Sequence, residues 1–95
     1  MTKADLISEI TEKTGVEKIA VQATVESLMT SIIDAMESGE NVYLRGFGSF
    51  VVKKRAEKTG RDISKNTTII IPAHNIPAFK PSKEFVNKVK TNVQL

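Results

Sequence analysis

A chain of 95 residues, 40% apolar and 26% charged, has the length and balance of one globular domain, which excludes a disordered or fibrous protein. The absence of cysteine excludes disulfide staples and thiolate metal sites, and no run approaches the roughly 18 apolar residues that span a bilayer. The net charge of +3 hides an asymmetry: Met1 to Leu44 carries three Lys and eight acids, for −5, whereas Arg45 to Leu95 carries eleven Lys or Arg and three acids, for +8.

In chain order, Leu6, Ile7 and Ile10 share one face of a first helix over about residues 3–14. Thr2 is its N-cap, Asp5 suits the positive end, and Gly15 supplies the stop. This opening is amphipathic rather than basic and then apolar, so no secretory leader and a cytoplasmic chain are expected. A second helix is predicted over about residues 17–38. Its apolar positions Val21, Val25, Leu28, Met29, Ile32, Ile33, Ala35 and Met36 span an arc of about 160°, against the ~100° of an ordinary surface helix. A stripe that wide packs against two neighbours.

Beyond Gly39 the period changes to two. Val42 and Leu44 alternate with Tyr43 and Arg45, then Phe50 and Val52 with Val51 and Lys53, predicting two strands joined by a tight turn at Gly46 to Gly48. Thr67 to Ile71 is β-branched and predicts a third antiparallel strand that Pro72 closes. His74 falls in the connection that follows. Ser82 then caps a short terminal helix carrying Phe85, Val86 and Val89. The segment from Lys53 to Thr68 is a polar, basic hairpin.

A polar hairpin leaves only about 80 residues to build a core, which is marginal for one chain. The second helix, the sheet and Phe47, Phe50, Phe79 and Phe85 nevertheless offer more apolar surface than the first helix covers. The economical solution is a homodimer with one shared core, in which folding and association are a single equilibrium. The alternative is a compact monomer with its hairpin folded back.

The chain is poorly equipped for catalysis. Its one histidine, His74, has no acid paired with it in sequence, and Gly46-Phe47-Gly48-Ser49-Phe50 lies between two strands rather than before a helix, so it cannot cradle a phosphate as a nucleotide loop does. No enzyme, cofactor or metal is expected. The positive half points instead to an anionic partner or to a merely solvated basic surface. Lys53, Lys54, Arg55, Lys58, Arg61 and Lys65 concentrate on the hairpin, and Lys80, Lys83, Lys88 and Lys90 lie on or beside the last helix. With no aromatic in the hairpin, stacking on single strands is disfavoured. With no recognition helix, so is a major-groove reader. What remains is a basic two-stranded ribbon for a duplex groove. Ile63, alone among charges, stands at its tip.

The ordered set Gly46 to Phe50, then Arg55, Lys58, Gly60 and Arg61, then Pro77, Phe79 and Lys80, closely resembles the signature of the bacterial histone-like family of HU and integration host factor, and the opening helices match it too. The resemblance spans essentially the whole chain. It implies an α+β fold: two N-terminal helices, a three-stranded antiparallel sheet extended by a long β-ribbon arm, and a short C-terminal helix, in an intertwined homodimer. A single domain over residues 1–95 is expected, with a helical dimerisation part to about residue 44 and the arm over residues 53–68. The partner implied is double-stranded DNA, wrapped and bent through the minor groove with little sequence preference, in the nucleoid of the cytoplasm. In that reading Lys53, Arg55, Lys58, Arg61 and Lys65 hold phosphates and groove edges, Ile63 is the apolar wedge, and Lys3, Lys80 and Lys83 bind flanking DNA on the body. The departure lies at the tip, where Asp62-Ile63 replaces the usual Asn-Pro and puts an acid beside phosphates. A heterodimer with a related chain stays open. So does an alternative of another class, a protein-interaction module that docks its basic hairpin onto an acidic partner.

Overall fold

The computed structural model describes residues 1–62 and 64–95. The order of elements is α1 (Lys3–Thr14), α2 (Lys18–Glu37), β1 (Val42–Leu44), β2 (Gly48–Arg55), β3 (Lys58–Asp62), β4 (Thr67–Ile71), β5 (His74–Pro81) and α3 (Lys83–Asn92). The chain divides into two compact units, Met1–Ala35 and Met36–Leu95.

In the first unit, α1 begins as the sequence predicts and more completely. Thr2 Oγ1 accepts from the Asp5 backbone N–H at 3.2 Å while the Asp5 carboxylate accepts from the Thr2 N–H at 2.9 Å, a reciprocal capping box. Gly15 ends the helix in the left-handed region, at φ 73°, with its N–H on the Thr11 carbonyl. Lys3 Nζ lies 3.1 Å from Glu26 Oε1 and donates to it, as does Gln22 at 3.4 Å, so the Glu26 carboxyl is held below its ordinary pKa, chiefly by the Lys3 hydrogen bond. Ile7 of α1 and Val21 of α2 are the only buried apolar side chains among the described residues. Ile33 remains 63% exposed and Leu28 51% exposed on the wide stripe of α2.

In the second unit, β1, β2 and β5 form an antiparallel sheet in that order, and β3 and β4 form a separate two-stranded ribbon. Two expectations need correction here. Thr67–Ile71 is not a strand of the sheet but β4 of the ribbon, and His74 opens the third sheet strand, β5, instead of lying in a connection. The signal for β5 is suppressed by Pro77 and Pro81, which proteins tolerate only at a sheet edge or strand end; the edge is where β5 lies. The arm is also more regular than its polar composition suggests. Lys58–Asp62 is a strand because the β-branched β4 gives it a ladder partner.

Ribbon and sheet share one register. Arg55↔His74 is the last sheet pair and Lys58↔Ile71 the first ribbon pair, with two residues on each strand between them. Pro72, lacking an N–H, stands in that gap. The sheet is fastened at its other end by aromatic packing. Phe79 meets Phe50, Phe47 and Phe85 with centroids 4.8, 5.2 and 6.2 Å apart. Gly48 is required where β2 passes β5, since a Cβ there would lie 2.6 Å from both the Lys80 carbonyl oxygen and the Phe79 ring. Ser82 ties α3 to this point. Its hydroxyl accepts from the Phe85 N–H at 3.2 Å and donates to the Gly46 carbonyl at 3.0 Å, and its own N–H donates to the Phe47 carbonyl at 2.9 Å.

Candidate nucleic-acid interface

Strand alternation sorts the predicted site residues. On β2, Lys53 and Arg55 share a face with Ser49 and Val51, and the register places Lys80 and His74 of β5 on the same face. Lys54 falls on the opposite face, with Phe50 and Val52. In the ribbon, Lys58 and Gly60 share a face with Ile71 and Ile69, whereas Arg61 lies on the other face with Thr59, Ile70 and Thr68. The cations of the ribbon therefore point to both sides of a two-stranded strip, the arrangement a strip needs to reach anions along both of its faces.

All of these cations are solvent-exposed, and none of Lys53, Lys54, Arg55, Lys58, Lys65, Lys80 and Lys83 forms an ion pair among the described residues. Their charges are thus open to solvent and free of direct ion pairs with acids among the described residues. Lys3 differs. It belongs to the first unit, and its charge is partly answered by Glu26. Lys83 opens α3, and Lys80 lines an open groove with Arg45, Ser49 and Ser82. Arg45 is a basic residue that the sequence-based site omits. Its signal is present in the alternation of Tyr43 and Arg45 away from the apolar side, but a single arginine before a glycine turn is not distinguished by charge alone.

At the tip, Asp62 pairs with Thr67 and closes the ribbon. Asp62 Oδ1 accepts from the Ser64 N–H at 3.1 Å, from the Ser64 hydroxyl at 2.7 Å and from the Lys65 N–H at 3.4 Å. The carboxyl is held below its ordinary pKa, first of all by the Ser64 hydroxyl. Arg61 donates from Nη2 to Asn66 Oδ1, and Asn66 takes the left-handed conformation, at φ 52°. Ile63, the predicted wedge, lies outside the described residues. His74 Nδ1 is 2.9 Å from the Pro72 carbonyl oxygen, and no cluster of three metal-ligating side chains occurs among the described residues. No described helix is long and apolar enough to cross a membrane. The chemistry this surface offers is the holding of a polyanion.

Comparison with known proteins agrees with that chemistry. The family described as bacterial DNA-binding protein matches residues 1–90. DNA-binding protein HU of Thermus thermophilus is 42% identical over 90 residues, covering 95% of this chain and 93% of the relative. HU of Geobacillus stearothermophilus is 38% identical, over 95% of this chain and 100% of the relative. Among solved structures, HU from an Anabaena HU–DNA cocrystal superposes with a TM-score of 0.90 at 38% identity, covering 94% of this chain and 97% of the other. With a match along nearly its whole length, in sequence and in fold alike, the chain belongs to the HU family of bacterial DNA-binding proteins.

Proposed function

We propose that this protein is an architectural DNA-binding protein, a homodimer that wraps and bends duplex DNA through the minor groove with little sequence preference and so compacts the nucleoid of the cytoplasm. The observation that carries the reading is the arm: a two-stranded ribbon whose cations lie on both faces and have no acidic partner among the described residues. Each phosphate that Lys53, Arg55, Lys58, Arg61 or Lys65 neutralises releases counterions, so binding comes from charge and shape and not from base edges. Lys80, with Arg45 lining the same groove, and Lys83 extend the track beyond the arm, and Lys3 is a further contact for flanking DNA. Ile63 enters a base step as the apolar wedge, and its bent duplex brings more of that track into contact. The dimer is supported by the exposed apolar stripe of α2 and by the scarcity of buried apolar side chains among the described residues of one chain.

The test is a titration of random-sequence duplex over a range of salt, with end-to-end fluorescence transfer as the readout of bending. The expected result is binding that weakens steeply with salt and a rise in transfer on binding. In Ile63→Ala, transfer falls more than affinity does. Unchanged transfer in that variant removes the wedge role, and absence of binding to random duplex below ~100 μM at low salt refutes the whole proposal.

A further inference from the structure

On charge alone Asp62 is misplaced, between Arg61 and the tip of an arm meant for a polyanion. Its contacts give it a different task. Asp62 pairs with Thr67 as the last pair of the ribbon, and the described residues of the connection to β4 are Ser64, Lys65 and Asn66. That connection contains neither proline nor glycine, the residues that usually set a tight turn. One oxygen of Asp62 takes over the work. The Ser64 N–H, two residues on, donates to Oδ1 at 3.1 Å and so closes a turn through the side chain, while the Ser64 hydroxyl at 2.7 Å and the Lys65 N–H at 3.4 Å converge on the same atom. Across the turn, Asn66 supplies the left-handed residue and holds the Arg61 guanidinium with its Oδ1.

We infer that Asp62 is a positioning residue for DNA bending: its carboxylate oxygen is the acceptor that sets the tip turn, and it acts through that turn and not through its charge. This inference rests on the architectural reading above. All of the groups that reach Oδ1 are donors, so an amide oxygen in the same place serves them equally. Asparagine therefore keeps the turn and removes the negative charge. Alanine removes both.

The experiment compares full-length wild type, Asp62→Asn and Asp62→Ala on an end-labelled random-sequence duplex, measuring affinity and fluorescence transfer at saturating protein. Asp62→Asn is expected to reach the wild-type transfer and to bind at least as tightly. Asp62→Ala is expected to lose at least half of the transfer gain while its Kd stays within about threefold of wild type, since the phosphate contacts of the arm remain. Asp62→Ala that bends DNA like wild type overturns the inference, and so does Asp62→Asn that loses bending together with Asp62→Ala, because charge is then the operative property. Wild-type protein that binds without any rise in transfer overturns the architectural reading itself, and this inference with it.

Discussion

Asp62 titrates as its contacts require. Its folded pKa is depressed, first by the Ser64 hydroxyl, so the stability its hydrogen bonds add is present above the ordinary carboxylate range and is lost as pH falls through the lowered folded value. Amide shifts of Ser64 and Lys65, followed from about pH 6 downward, should therefore move with a midpoint below the ordinary Asp value of about 3.9. A transition at or above that value contradicts the hydrogen bonding. Arg61 is tested by salt. Arg61→Ala should weaken duplex binding and reduce the slope of log affinity against log salt by about one, and an unaltered slope shows that Arg61 meets no phosphate. These tip residues were partly legible in the sequence. That Asn66 can adopt the left-handed region follows from its short polar side chain, and the structure finds it there. That Asp62 folds back on Ser64 and Lys65 is not visible in a string of letters, where an aspartate among cations reads only as a charge.

At the scale of elements, the joint among β2, β5 and α3 carries two predictions. Gly48→Ala drives a methyl group into the Lys80 carbonyl and the Phe79 ring, both 2.6 Å from its Cβ, and should destabilise the protein by about 1–3 kcal/mol in chemical denaturation. Ser82→Ala removes the N-cap of α3 together with the donor to the Gly46 carbonyl, and should cost about 1 kcal/mol by the same measurement. A neutral result for either detaches that residue from the joint. The helices and the first two strands were legible because their signals are local: Thr2, Gly15 and Ser82 are caps, and Val42 and Leu44 alternate with Tyr43. The strand β5 was not. Its prolines read as breaks, and only its position at the sheet edge makes them acceptable. The regularity of β3 likewise depends on a partner strand and not on its own residues.

For the molecule as a whole, the apolar stripe of α2 predicts that unfolding depends on protein concentration, because association and folding share one core. Melting at a series of concentrations should give a midpoint that rises with concentration, and Ile33→Asp, a charge placed on that stripe where the side chain is 63% exposed, should lower the midpoint and shift the mass in solution towards the monomer. A midpoint independent of concentration speaks for the self-contained monomer. Sequence alone determined the class of the protein: periodicity placed the helices, and the ordered motif from Gly46 to Lys80 carried the family, while the charge asymmetry between the halves raised the expectation of an anionic partner. Only the tertiary structure decided which cations share a face, that Lys3 is answered by Glu26, and that Asp62 accepts hydrogen bonds from its own turn. The reason is physical. Helix caps and alternation are set by neighbours a few residues apart, whereas strand partnership, ion pairing and the direction of a carboxylate depend on groups that the backbone path brings together.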